Sequence, residues 1–133
     1  MTHVPELRSV TEERMFTQAE FDRFGTLSGD RNPIHVDPAF AADTPFGATV
    51  AHGMLLFSAL RALVARTWPG VALREQNLMF PAPTYADEPV ELRLEPVAAE
   101  GARTWRVTTR VVKPDGRLGV EGECVLVFPE GRS

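Results

Sequence analysis

From Val90 to Glu95 the chain alternates strictly, with Val90, Leu92 and Leu94 apolar and Glu91, Arg93 and Glu95 charged. Period two predicts a strand with one wet face. Trp105, Val107 and Val111 alternate with Thr104, Arg106, Thr108 and Arg110 in the same way. Lys113-Pro114-Asp115-Gly116 is a turn signal, so a hairpin should lead into a last strand from Leu118 to Phe128. Residues 72–80 carry a weaker strand pattern, and Val10 to Phe16 a short first strand.

Elsewhere the period is helical. Thr17-Gln18-Ala19-Glu20 has the form of a capping box, and Phe21, Phe24 and Leu27 follow at helical spacing. A helix is predicted over about 17–27, ending near Gly29. Residues 28–51 read as mostly irregular, with one short turn capped by Asp37 and opened by Pro38. From Gly53 to about Arg66 apolar residues cover nearly the whole circumference, which predicts a buried helix. Helices followed by successive strands indicate an α+β fold with an antiparallel sheet around the apolar helix.

Composition narrows the class. The 133 residues fit a single domain, 1–133 with a core over about 10–129, and 44% hydrophobic with 24% charged residues are globular values. One cysteine excludes an internal disulfide framework and a cysteine-rich zinc cluster. A formal charge of −4 with no dense basic run gives no footprint for nucleic acid. The apolar run Gly53 to Leu60 is too short to span a membrane. Glu6 and Arg8 stand where a signal peptide would be apolar, so a cytoplasmic location is expected.

Candidate chemistry concentrates in Ser28-Gly29-Asp30-Arg31-Asn32-Pro33-Ile34-His35. A carboxylate and an imidazole held together can grip one water and move protons at neutral pH. Pro33 stiffens the loop, and Asn32 can bond its backbone; Asp30 and His35 are read as lying outside any helix. The plainer alternative is a turn with a surface histidine. The second element is Ala51-His52-Gly53-Met54. The first amides of a helix lack internal partners, and glycine lets a ligand approach the Gly53 N–H, which can hold a developing oxyanion. Here the plain alternative is a simple helix start.

Phe24-x-x-Leu27-Ser28-Gly29-Asp30-x-Asn32-Pro33-Ile34-His35-x-Asp37-x-x-Phe40-Ala41, followed by Phe46 through Ala51-His52-Gly53-Met54, resembles the hydratase-2 signature of MaoC-like proteins. The resemblance implies a hot-dog fold, with an antiparallel sheet wrapped around one central helix, and a homodimer. It implies R-specific enoyl-CoA hydratase or 3-hydroxyacyl-thioester dehydratase activity. Asp30 and His35 would be the catalytic pair, Gly53 the oxyanion donor and Asn32 a loop support near the substrate. The resemblance places an acyl tunnel along the central helix, where the bulk of Phe57 and the charge of Arg61 would favour short or polar acyl groups; the alternative is that both side chains point elsewhere. The substrate would be a thioester of CoA or acyl carrier protein, and the chemistry needs no metal or redox cofactor.

A hot-dog thioesterase and a non-catalytic acyl-thioester-binding module are the alternatives. His52 is read as structural or supporting, Ser58 as bonding its own helix, and Cys124 as a buried or interface thiol. Arg61, Arg66, Arg74 and Lys113 are weak candidates for CoA phosphates.

Overall fold

The computed structural model describes residues 7–130. In chain order the elements are β1 (Val10–Arg14), α1 (Gln18–Ser28), α2 (Pro33–Val36), α3 (Pro38–Ala42), α4 (Gly53–Thr67), β2 (Ala72–Gln76), β3 (Val90–Ala99), β4 (Thr104–Val112) and β5 (Leu118–Val127). The strands form one antiparallel sheet in the order β1-β3-β4-β5-β2. Helix α4 packs on β3, β4 and β5. This is the sheet around a central helix that the alternation and the hot-dog resemblance predicted. Among the described residues, no helix is long and apolar enough to cross a membrane.

Local chemistry sets the boundaries. Thr17 and Glu20 make the reciprocal capping box, with Glu20 N donating to Thr17 Oγ1 at 3.2 Å and Thr17 N to Glu20 Oε1 at 3.0 Å. The first strand stops at Arg14 rather than Phe16, because its partner β3 begins at Val90, opposite Arg14; Phe16 beyond it is fully buried. Residues 72–80 form a strand only to Gln76. Beyond it Asn77 N and Met79 N still donate to Glu123 O and Glu121 O of β5, at 3.0 and 2.7 Å. A Cβ at Gly122 would collide with Asn77 O, so glycine is what lets this segment lie against β5. Leu27, predicted on the apolar face of α1, is 82% exposed. It lies in the last turn of α1, beyond the part that packs on the core.

The central helix departs from expectation. Leu56, Leu60, Leu63 and Val64 are buried, and each such side chain contributes about 1.5–3 kcal/mol. Met54, Ser58, Ala62 and Ala65 form an exposed stripe on the opposite side. A single sheet covers one face of a helix, so part of the apolar circumference stays uncovered within one chain. Ser58 Oγ donates to Met54 O at 2.8 Å, and Cys124 is 1% exposed in the core, both as read from the sequence. Burial raises the Cys124 thiol to about 11, which keeps it protonated and unreactive.

Candidate active site

The loop after α1 is built by short-range hydrogen bonds. Gly29 closes the helix at φ +81°, a left-handed conformation that suits glycine, and its N–H donates to Gly25 O at 3.0 Å. Asp30 N donates to Ser28 Oγ at 3.1 Å, and Asn32 N to Asp30 Oδ1 at 3.3 Å. Asn32 Oδ1 then accepts from Ile34 N at 3.1 Å, with Pro33 at the first helical position. His35 therefore stands in the one-turn helix α2, which corrects the expectation that it lies outside any helix. The signal was present: Asn32-Pro33 repeats the cap-then-proline form of Asp37-Pro38. A residue the sequence reading missed, Gln18, anchors α2 from α1 by donating Nε2 to His35 O at 2.9 Å.

Two histidines and one carboxylate meet here. His35 Nδ1 lies 2.8 Å from Val50 O. A carbonyl only accepts, so Nδ1 carries the proton and Nε2 keeps its lone pair. That Nε2 faces Asp30 Oδ2 at 3.8 Å. The gap is too long for a direct hydrogen bond, yet one water can reach both at about 2.8 Å. Two acceptors facing one water suit its two O–H groups. His52 Nε2 lies 2.9 Å from Asp30 O, and its ring stacks on His35 with centroids 3.9 Å apart and planes 23° apart. Burial lowers the His52 pKa, and the charge of a protonated His35 lowers it further. Asp30, His35 and His52 each bring a donor atom within 4.8 Å of the others. One nitrogen of each ring is spent on a backbone carbonyl, His35 Nδ1 on Val50 O and His52 Nε2 on Asp30 O.

A cavity of about 600 Å³ opens at this group, lined among others by Asp30, His35, Gly53, Leu56, Phe80 and Thr84. Its lining is mostly apolar, which weakens competition from water for any charge that develops inside. Gly53 begins α4 at the cavity wall, where its amide has no partner within the helix. The Phe80 ring presses on it: a Cβ at position 53 would stand 2.6 Å from Phe80 Cζ. Phe46, Phe80, Thr84 and Gly119 also line the cavity. Phe46 opens the second stretch of the family signature, whereas no local motif marked Phe80, Thr84 or Gly119.

The structure brings Asp30, His35 and Gly53 to one cavity and leaves two expected substrate contacts off its wall. Asn32 caps α2, and Phe57 lies half-buried on α4 outside the lining. Arg61 is also outside it; its Nη1 is buried with no partner among the described residues. Arg66 pairs with Glu12 at 2.9 Å, and Lys113 is buried against Glu88 at 3.0 Å, so neither is a free cation for a phosphate.

The MaoC-like domain profile matches residues 4–125. An (R)-specific enoyl-CoA hydratase of Aeromonas caviae is 38% identical over 119 residues, 87% of this chain and 89% of that protein. A 3-hydroxybutyryl-CoA dehydratase of Methylorubrum extorquens is 39% identical over 74 residues, 54% of this chain and 47% of that protein. Among solved structures, an R-hydratase from Pseudomonas aeruginosa in its unliganded form superposes with a TM-score of 0.87 at 31% identity. That match covers 93% of this chain and 81% of that one.

Proposed function

We propose an activity from the premise that this chain belongs to the MaoC-like domain family: it is a hydro-lyase that adds water to a trans-2-enoyl thioester to give the R-3-hydroxyacyl thioester, and runs the reverse dehydration. The observation that carries this reading is the 3.8 Å gap between His35 Nε2 and Asp30 Oδ2, at the mouth of a cavity that also holds the first amide of α4. Water in the gap donates one O–H to each acceptor and turns a lone pair towards C3. Conjugation with the thioester makes C3 electrophilic. As the C3–O bond forms, the Asp30–His35 pair takes a proton from the water. Electron density moves through C2 to the thioester oxygen, where the Gly53 N–H and the positive end of the helix dipole stabilise it. The pair then returns a proton to C2, so atoms and charge balance over the cycle.

Glycine at position 53 fits this role on steric grounds, since a Cβ there would have to push the Phe80 ring away from the amide. The acyl group rides on CoA or acyl carrier protein. The protein pairs as a homodimer, supported by the mostly apolar stripe Met54, Ser58, Ala62 and Ala65 that α4 leaves exposed. Light scattering on the purified protein measures that mass directly.

The activity test is loss of the enoyl-thioester absorbance of crotonyl-CoA, with the product read by an R-specific 3-hydroxyacyl-CoA dehydrogenase. Wild type should turn over. Asp30→Asn should lose at least about 10²-fold, the usual worth of a positioned general base. Release of free thiol would mean ester hydrolysis instead, and an Asp30→Asn variant as fast as wild type would remove the pair from the mechanism.

A further inference from the structure

We propose that His52 is the positioning residue that joins the two halves of this site: its side chain holds Asp30 and backs His35, while its backbone leads directly into the Gly53 amide. The inference rests on the hydration reading and adds a residue to it. Water must be held over C3 by one chain segment while the oxyanion is held by another, so the distance between the segments has to be fixed. His52 touches both. Its Nε2 donates to Asp30 O at 2.9 Å. Its own carbonyl accepts from Leu55 N at 3.1 Å and Leu56 N at 3.3 Å, which locks it to the first turn of α4.

The Asp30 side chain needs such a tie. It is 55% exposed, and the contact that steadies its carboxylate is a 3.3 Å bond from its own loop. Fixing its carbonyl fixes the Cα from which the carboxylate hangs. The His52 ring also limits the freedom of His35. It is 2% exposed, clamped between the His35 ring at 3.9 Å and the Phe24 ring at 4.9 Å. A phenyl ring would fill the same slot without leaving a buried nitrogen that has no partner among the described residues, as Nδ1 is here. What imidazole adds is the donor to Asp30.

That donor also defines the protonation state. The Asp30 carbonyl can only accept, so the proton sits on Nε2 and Nδ1 is bare. A second proton would place an N–H with no acceptor in the interior, beside His35 and at the positive end of α4. Among the described residues, the titratable groups that act on the ring are Asp30 and His35; its other aromatic neighbour, Phe24, is apolar. His52 thus remains neutral while the Asp30–His35 pair exchanges protons.

The test compares His52→Phe, which keeps the ring and loses the donor, with His52→Gln, which keeps a donor and loses the ring. Against crotonyl-CoA, His52→Phe should lose kcat by roughly 10²-fold, the scale of a misplacement near 1 Å, with KM little changed. His52→Gln should recover part of that loss. Circular dichroism should show both folded. Unchanged kcat in His52→Phe, a loss confined to KM, or no recovery in His52→Gln would overturn the proposal. Should either variant fail to fold, imidazole 15N shifts of wild type decide: a neutral Nε2–H tautomer at about pH 7 is expected. An Nδ1–H tautomer or a charged ring overturns it. A wild type that does not hydrate crotonyl-CoA counts against the hydration reading, whereas the tautomer is read without turnover.

Discussion

Replacing Gly53 by alanine tests whether the slot beneath Phe80 is part of the catalytic geometry. The new Cβ would stand 2.6, 2.7 and 3.0 Å from three carbons of the Phe80 ring. Carbon contacts are favourable at about 3.5–4.0 Å, so the ring must retreat by about 1 Å. It has room, being 47% exposed, and Gly53 is not among the positive-φ glycines, so the backbone accepts alanine. Stability should therefore move by less than about 1 kcal/mol. Moving a wall of the thioester site by about 1 Å should lower kcat roughly 10²-fold. That corresponds to about 2.7 kcal/mol in the transition state. The assay is hydration of crotonyl-CoA by Gly53→Ala, Phe80→Ala and the double variant. If the ring transmits the damage, removing it relieves the clash, and the cycle shows coupling of at least about 1 kcal/mol. A Gly53→Ala enzyme with wild-type kcat, or a cycle with no coupling, would refute this account.

Three further outcomes follow from the packing. Arg61→Met should raise stability by about 1–3 kcal/mol in urea unfolding, because it removes a buried guanidinium nitrogen with no partner among the described residues; no gain would show that a partner exists in solution. Glu88→Gln should cost about 3 kcal/mol, since Lys113, 1% exposed at the side chain, would keep its charge and lose its carboxylate; a loss under about 1 kcal/mol would contradict the pair's role. The His52 pKa lies below its ordinary 6.5 in the folded state, so below pH 6.5 the unfolded chain binds a proton the native state refuses. That contribution is present above 6.5 and lost as pH falls through the folded value. Urea midpoints from about pH 7.5 to 5 should fall less steeply in His52→Phe than in wild type, and equal slopes would contradict it.

Whatever depends on neighbours a few residues away was readable in the amino-acid order. The capping box at Thr17, the Asp37-Pro38 cap, the alternation over Val90 to Glu95 and the 113–116 turn are contests between local hydrogen bonds and backbone sterics. The Asp30–His35 pair was legible for the same reason, because one short loop carries both. Even the missed helix at Pro33 was local, since Asn32-Pro33 already held its cap. Three things were decided only by tertiary structure. A stripe of α4, Met54, Ser58, Ala62 and Ala65, is left uncovered because a single sheet reaches one side of it. Phe80 and Thr84 line the cavity because the register against β5 and the following loop carry them to the start of α4, and no motif encodes that register. Phe57 and Arg61 fall outside the cavity because helical spacing gives a side chain's direction from its own axis. What stands opposite depends on how distant segments pack, and that enters only when the chain closes on itself.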